Sequence, residues 1–258
     1  MTVPALRATA YFARAYRRTW RASVMTTFVN PVLYLLAMGV GLGAFVDKAH
    51  ASASLGHVSY LRFVAPALAA VAASTTAASE AMFPVMGALK WTRSYHAMLA
   101  TPLRVGDVLA GHLAWMMLRV ATAVASYVAV MGVFGVLRSP ESVAILPVGV
   151  LTGAAFAAPL AAFAATQDSE GGFSLVFRLV VVPLFLFSGV FFPLSQLPEA
   201  LRVVAYATPL WHGVDLCRTL AAGTTTVAGA AEHVAYLLGV TGAGVAAARA
   251  TYRRRLLT

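Results

Sequence analysis

The chain has 258 residues, 60% of them hydrophobic and only 11% charged, with a mean hydropathy of +0.79. Soluble domains carry about a quarter of their residues as charges, so an ordinary water-soluble fold is excluded. Nineteen Lys and Arg against nine Asp and Glu leave a net charge of +10, which keeps a nucleic-acid partner in view until the charges are placed.

In chain order, residues 4–22 come first and open on Pro4, suited to a first helical turn. At helical spacing Arg7, Arg14, Arg17, Arg18 and Arg21 share one face, and Leu6, Phe12, Ala13, Tyr16 and Trp20 share the other. This predicts an interfacial helix on the inner leaflet within an N-terminal segment of residues 1–27; the plainer alternative is a basic lead-in that orients the first span. Six apolar stretches then reach the roughly 20 residues a bilayer-spanning helix needs, at 28–46, 60–82, 108–137, 143–166, 173–192 and 231–248. The last is the weakest, being rich in Gly and Ala, residues common where membrane helices pack closely. The small residues Ala51, Ser52 and Ala53 resemble a signal-peptide cleavage site. The long basic segment ahead of the first apolar run, and the length of that run, fit a retained span better.

The basic residues set the orientation. With the N-terminus cytoplasmic, Arg7, Arg14, Arg17, Arg18, Arg21, Lys90, Arg93, Arg104, Arg249, Arg253, Arg254 and Arg255 fall inside. Lys48, Arg62, Arg138, Arg202 and Arg218 fall outside, and Arg119 and Arg178 lie within spans, so the positive-inside rule favours cytoplasmic termini. Spread over alternate loops and a basic tail at 249–258, the charge gives no surface for nucleic acid.

Two connections are more than loops. Residues 85–103 form a cytoplasmic segment whose central part, 88–101, predicts a short helix stopped by Pro102. Lys90, Trp91, Arg93, Tyr95 and His96 on it have the composition of an interface; a solvated loop is the alternative. Residues 193–220 are apolar but broken by Pro193, Pro198 and Pro209. Two short helices, about 198–207 and 209–220, would dip into the outer leaflet and return, a geometry tolerated only inside protein or along a cavity. The segment is therefore a candidate for an outer gate.

Glu80 and Arg119 lie roughly 13 and 16 Å from the cytoplasmic ends of the second and third spans, at 1.5 Å of rise per residue. Unpaired charges at that depth are costly, so they are placed as a pair, either holding the two spans in register or taking part in moving a substrate. Arg178 is near enough to the inner interface to snorkel.

Catalytic chemistry is missing. There is no phosphate-binding loop, and neither of the two lysines, Lys48 and Lys90, follows a glycine. The histidines His50, His57, His96, His112, His212 and His233 are scattered, and Cys217 is alone. Ser188-Gly189 and Gly106-Asp107 resemble fragments of intramembrane protease motifs, but each lacks a required glycine. No nucleophile, base and orienting group assemble, and a lipid-acting enzyme is disfavoured. A proton-coupled secondary transporter using Glu80 and Arg119 is the main rival to the reading that follows, although the two halves show no repeat.

Residues 97–115 (AMLATPLRVGDVLAGHLAW) and 186–218, with the phrase FSGVFFPLSQLP, resemble the permease subunits of type-2 ATP-binding-cassette exporters. The branch is that of the rhizobial lipo-oligosaccharide and daunorubicin-type drug-resistance permeases. Asp215 also falls where such permeases have a polar residue, while Met82-Phe83-Pro84 departs from the family pattern near the end of the second span. The resemblance covers essentially the whole chain and implies a six-span bacterial plasma-membrane permease domain over 28–248. It implies no cofactor in this chain: ATP and Mg belong to a partner ATPase present in two copies, alongside a second permease copy or a sister permease. Lys90 to His96 would then be the coupling contact and the Arg14 to Arg21 face a further seat for the ATPase, while the residues around Phe191, Phe192, Leu194, Tyr206, Trp211 and His212 would bound the external gate, with a lipophilic or amphipathic molecule as cargo.

Overall fold

The structure is a computed structural model describing residues 4–48 and 58–257; the cleavage-like Ala51 to Ala53, His50 and His57 lie outside the described residues. All regular elements among the described residues are helical. They are α1 (Pro4–Tyr16), α2 (Trp20–Leu35), α3 (Gly43–Lys48), α4 (Tyr60–Met86), α5 (Ser94–Leu99), α6 (Val105–Val133), α7 (Ile145–Thr166), α8 (Gly171–Val176), α9 (Val182–Phe187), α10 (Glu199–Tyr206), α11 (Pro209–Ala222) and α12 (Val227–Leu257). Wider π-helical turns at Leu36–Leu42, Gly87–Trp91 and Phe177–Val181 fuse α2 to α3, prolong α4 and fuse α8 to α9.

Among the described residues, five helices are long and apolar enough to cross a membrane: Ser23–Val46, Tyr60–Trp91, Val105–Val133, Pro140–Thr166 and Val227–Leu257. The protein is therefore a polytopic helical membrane protein. The stretch expected as a fifth span over 173–192 is shorter than that, a helix at Gly171–Phe187. It rises about 25 Å against a hydrocarbon core of about 30 Å. It stops because the chain turns at Gly189, whose φ of +76° is costly for any residue with a Cβ. The second span, by contrast, continues through Pro84 to Trp91.

The bundle is organised on α4 and α7. The alanine-rich face of α4, including Ala65, Ala69, Ala73, Ala77 and Ala81, is inaccessible, and α7 lies between α4 and α12 with α6 and α11 on its flanks. Lipid tails are as apolar as leucine, so helices associate here through close packing of small residues. Gly153 illustrates it: a Cβ there would stand 2.6 Å from Val120 Cγ1 on α6.

Sequence-level signals place the shorter elements. Thr208 caps α11 by accepting from the Trp211 N–H at 3.4 Å, with Pro209 in the first turn, and Gly223 ends the helix with φ +71°. The pair α10 and α11 thus forms within a residue or two of the expected boundaries.

Candidate functional site

At the end of the bundle that carries the N-terminus, α1 packs along α6. Ala5, Ala8, Thr9, Phe12 and Tyr16 recur at helical spacing and face inward, and Ala8 is 1% exposed. Gly111 lets the two backbones meet, since a Cβ on it would stand 2.6 Å from the Ala5 carbonyl oxygen, and Thr9 Oγ1 donates to the Gly111 carbonyl at 3.0 Å. The expected apolar face is corrected accordingly. Leu6 and Trp20 are exposed, because the chain breaks between α1 and α2 and the inward stripe is built from small residues. Arg14, Arg17, Arg18 and Arg21 all remain exposed.

The helix expected over 88–101 is also revised. It is split at Arg93, a non-glycine residue held in the left-handed region at φ 48°, ψ 27°. Lys90 and Trp91 end the long second span, and only Ser94 to Leu99 form a separate helix. Trp91, Arg93 and His96 point outward. Tyr95, expected on the same surface, is fully buried instead. Its hydroxyl hydrogen-bonds His112 Nδ1 on α6 and lies 3.3 Å from the Tyr252 hydroxyl on α12. Phe12 of α1 stacks on the His112 ring at 4.1 Å and 10°. Side chains of α1, α5, α6 and α12 therefore meet around Tyr95 and His112.

Lys90 is tied down as well. Asp168, between α7 and α8, accepts from Lys90 Nζ at 3.2 Å and from an Arg255 guanidinium nitrogen at 2.5 Å. Lys90 Nζ also donates to the Asp168 carbonyl at 2.6 Å. The Arg255 and then the Lys90 contacts hold the Asp168 carboxyl below its ordinary pKa. Its side chain is 78% exposed, so this network fixes geometry more than it adds stability.

Glu80 and Arg119 meet: Arg119 Nε donates to Glu80 Oε1 at 3.0 Å. The same guanidinium donates to the Tyr16 hydroxyl at 2.6 Å and reaches Ser23 Oγ at 3.5 Å, with the Tyr16 ring 4.4 Å away. The charge pair thus also anchors the joint between α1 and α2, a role for Tyr16 and Ser23 that their spacing did not announce. Beside it, a cavity of about 500 Å³ opens between α2, α4, α6 and the α8–α9 helix. Asn30, Thr75, Ser126 and Tyr127 give it uncharged polar groups, and Phe177 and Phe185 an aromatic wall.

At the other end, Tyr206, Trp211 and His212 gather into one cluster, with ring centroids 4.6 Å apart for the first two and 4.7 Å for the second two. Two residues of α12 complete it. Tyr236 stacks on His212 at 3.8 Å, and His233 Nδ1 lies 2.9 Å from His212 Nδ1 while its Nε2 lies 3.2 Å from Asp215 Oδ2. The histidines are thus not all scattered: His212 and His233 come from segments far apart in sequence and meet. Phe191 packs edge-on against Phe185 at 4.9 Å, Phe192 is half-buried, and Leu194 is buried beneath Gly189. Arg218, expected in an outer loop, reaches inward to donate to the Phe63 and Gly189 carbonyls at 3.1 and 2.8 Å.

Comparison with known proteins accords with this architecture. The profile of the ABC-2 type transporter family matches residues 8–221. Nodulation protein J of Rhizobium leguminosarum bv. trifolii is 33% identical over 223 residues, which are 86% of this chain and 82% of that protein. Its namesake in Rhizobium leguminosarum bv. viciae is 31% identical over 94% of this chain and 91% of its own length, and that of Rhizobium meliloti (strain 1021) is 30% identical over 83% and 79%. The chain belongs to the ABC-2 type transporter family, as a membrane-spanning permease component.

Proposed function

We propose that this chain is the permease of a bacterial plasma-membrane exporter powered by a separate cytoplasmic ATPase. Two ATPase copies would bind ATP and Mg, and a second permease copy or a sister permease would complete the path. The shorter helix Gly171–Phe187 counts as a sixth crossing in this reading, because Lys90, Asp168 and Arg255 then share the end that carries the N-terminal arginines. Both termini are then cytoplasmic.

The observation that carries the proposal is the exposed turn of Trp91, Arg93 and His96, set on a helix whose inner side chain, Tyr95, is bonded to two spans. Such a turn offers an aromatic and a cation to a partner and has rigid backing, so binding energy on the cytoplasmic side can bias two arrangements of the bundle. Glu80 and Arg119 act as a structural joint in this scheme rather than as a proton relay. The amphipathic cavity lining suits a lipophilic or amphipathic cargo, a drug or a glycolipid such as a lipo-oligosaccharide. Phe191, Phe192, Leu194, Tyr206, Trp211 and His212 would close the path on the outer side.

The test is copurification and ATP-dependent transport with Trp91→Ala and Arg93→Ala introduced together. The expected result is loss of the ATPase from the detergent-solubilised complex and loss of transport with the permease still folded. Full retention of both would refute the coupling surface.

A further inference from the structure

A second cytoplasmic feature is unused by this scheme. The end of α12 and the start of α6 enclose a crevice of about 930 Å³ whose rim carries Arg104, Arg249 and Arg253 and whose walls include Leu103, Leu109 and Leu256. Arg249, Arg253 and Leu256 share one helical face at spacings of four and three. All three arginines are exposed. Among the described residues no carboxylate lies within ion-pair distance of any of them, in contrast to Arg255 on Asp168. The acid in the crevice, Asp107, is engaged in accepting from the Arg104 backbone N–H at 2.9 Å.

The location decides what such a crevice meets. At 31 residues, α12 is about 46 Å long, well beyond a hydrocarbon core of about 30 Å. Its basic last turns therefore stand at headgroup level, and on α6 Leu109 and Ala110 line the crevice about 7–9 Å deeper than Arg104. Guanidinium groups bind phosphate through paired N–H donors and stay charged at any physiological pH. A zwitterionic lipid would bring its ammonium group against the same three charges.

We propose that this crevice is a binding site for an anionic glycerophospholipid of the inner leaflet, with Arg104, Arg249 and Arg253 holding the phosphate and Leu109 and Ala110 meeting the start of the acyl chains. The choice of occupant rests on charge complementarity and on depth in the bilayer, and stands independently of the ATPase contact.

The test uses the full chain in detergent, titrated with phosphatidylglycerol and read by native mass spectrometry. One lipid should be retained per chain, and Arg104→Gln, Arg249→Gln and Arg253→Gln together should weaken retention by about a hundredfold, at about fivefold per basic residue near an anionic surface. A control that removes the same charge elsewhere, Arg62→Gln with Arg138→Gln and Arg202→Gln, should retain it. Gly106→Leu gives a second variant that leaves every arginine in place: a Cβ there meets no atom within 4 Å and Gly106 lines the crevice, so the added side chain should displace the lipid as well. Equal retention by the triple variant and the control would overturn the proposal, as would equal binding of phosphatidylcholine or full displacement by inorganic phosphate. Loss of the ATPase from the complex with lipid retention unchanged would overturn it too, marking the crevice as a protein-docking surface.

Discussion

Replacing Arg119 by Met is the sharpest probe of how the inner half of the bundle is held. The guanidinium makes one ion pair, to Glu80 at 3.0 Å, and one short hydrogen bond, to the Tyr16 hydroxyl at 2.6 Å. Side-chain exposures of 16% for Arg119 and 20% for Glu80 put the pair between two regimes. Exposed pairs contribute about 0–1 kcal/mol, whereas removing one partner of a buried pair costs about 3–5 kcal/mol. Arg119→Met should lie near the lower end of the second range, about 3 kcal/mol, because it leaves the Glu80 carboxylate among helices. Glu80→Gln should cost about 1–2 kcal/mol, since the amide oxygen still accepts and Tyr16 still holds the guanidinium. The double variant should be less damaged than the sum, with a coupling of about 1–2 kcal/mol. Tyr16→Phe should cost about 1 kcal/mol and couple to Arg119→Met. Reversible unfolding in mixed micelles measures all of these on one scale. Additivity within about 0.5 kcal/mol for Glu80 and Arg119 would refute the claim that the contact is an energetic one.

Tyr95→Phe removes the hydroxyl shared with His112 and Tyr252 and should cost about 1–2 kcal/mol of stability. Its stronger effect should be functional, with ATP hydrolysis persisting while transport falls, measured side by side in proteoliposomes. Gly111→Leu should push α1 off α6 at a cost of about 1–3 kcal/mol, read as faster proteolysis within residues 4–19 while the spans stay protected. For Asp168 the folded-state pKa is depressed by Arg255 and Lys90, so its contribution is complete above the ordinary carboxylate value of about 4 and is lost as pH falls through the lower folded value. The thermal midpoint of the wild type should therefore exceed that of Asp168→Asn at neutral pH and converge with it in acid; a constant gap would contradict the assignment.

Apolar run length made five of the expected spans legible in the sequence, and proline positions made α10 and α11 legible to within a residue or two. The fifth apolar stretch misled because hydropathy counts Val190, Phe191 and Phe192 as span, whereas the backbone has already turned at Gly189. Tyr95 misled for a different reason. An aromatic among basic residues in a loop resembles an interface, and only the distant His112 and Tyr252 draw it inside. The meeting of His212 with His233, and of Arg218 with the Phe63 carbonyl, likewise depends on helix packing that no local spacing encodes. In α1, an inward stripe of alanine and threonine was outweighed by the larger Leu6 and Trp20, yet close backbone approach selects small residues.

The wide turn at Gly87–Trp91 has a further consequence for how the second span can vary. An α-helix advances about 100° per residue, and a π turn absorbs one residue beyond the regular count without lengthening the rod. The extra residue is therefore taken up inside the turn, and Trp91 keeps nearly the angle it would have at the end of a regular helix one residue shorter. Deleting one residue between 87 and 91 would close the wide turn into regular α-helix and leave Trp91 near its present angle, whereas the same deletion within the regular helix would rotate everything after it by about 100°. The turn is a slack point: the second span can lose a residue there without re-aiming the exposed Trp91 or disturbing the buried alanine face.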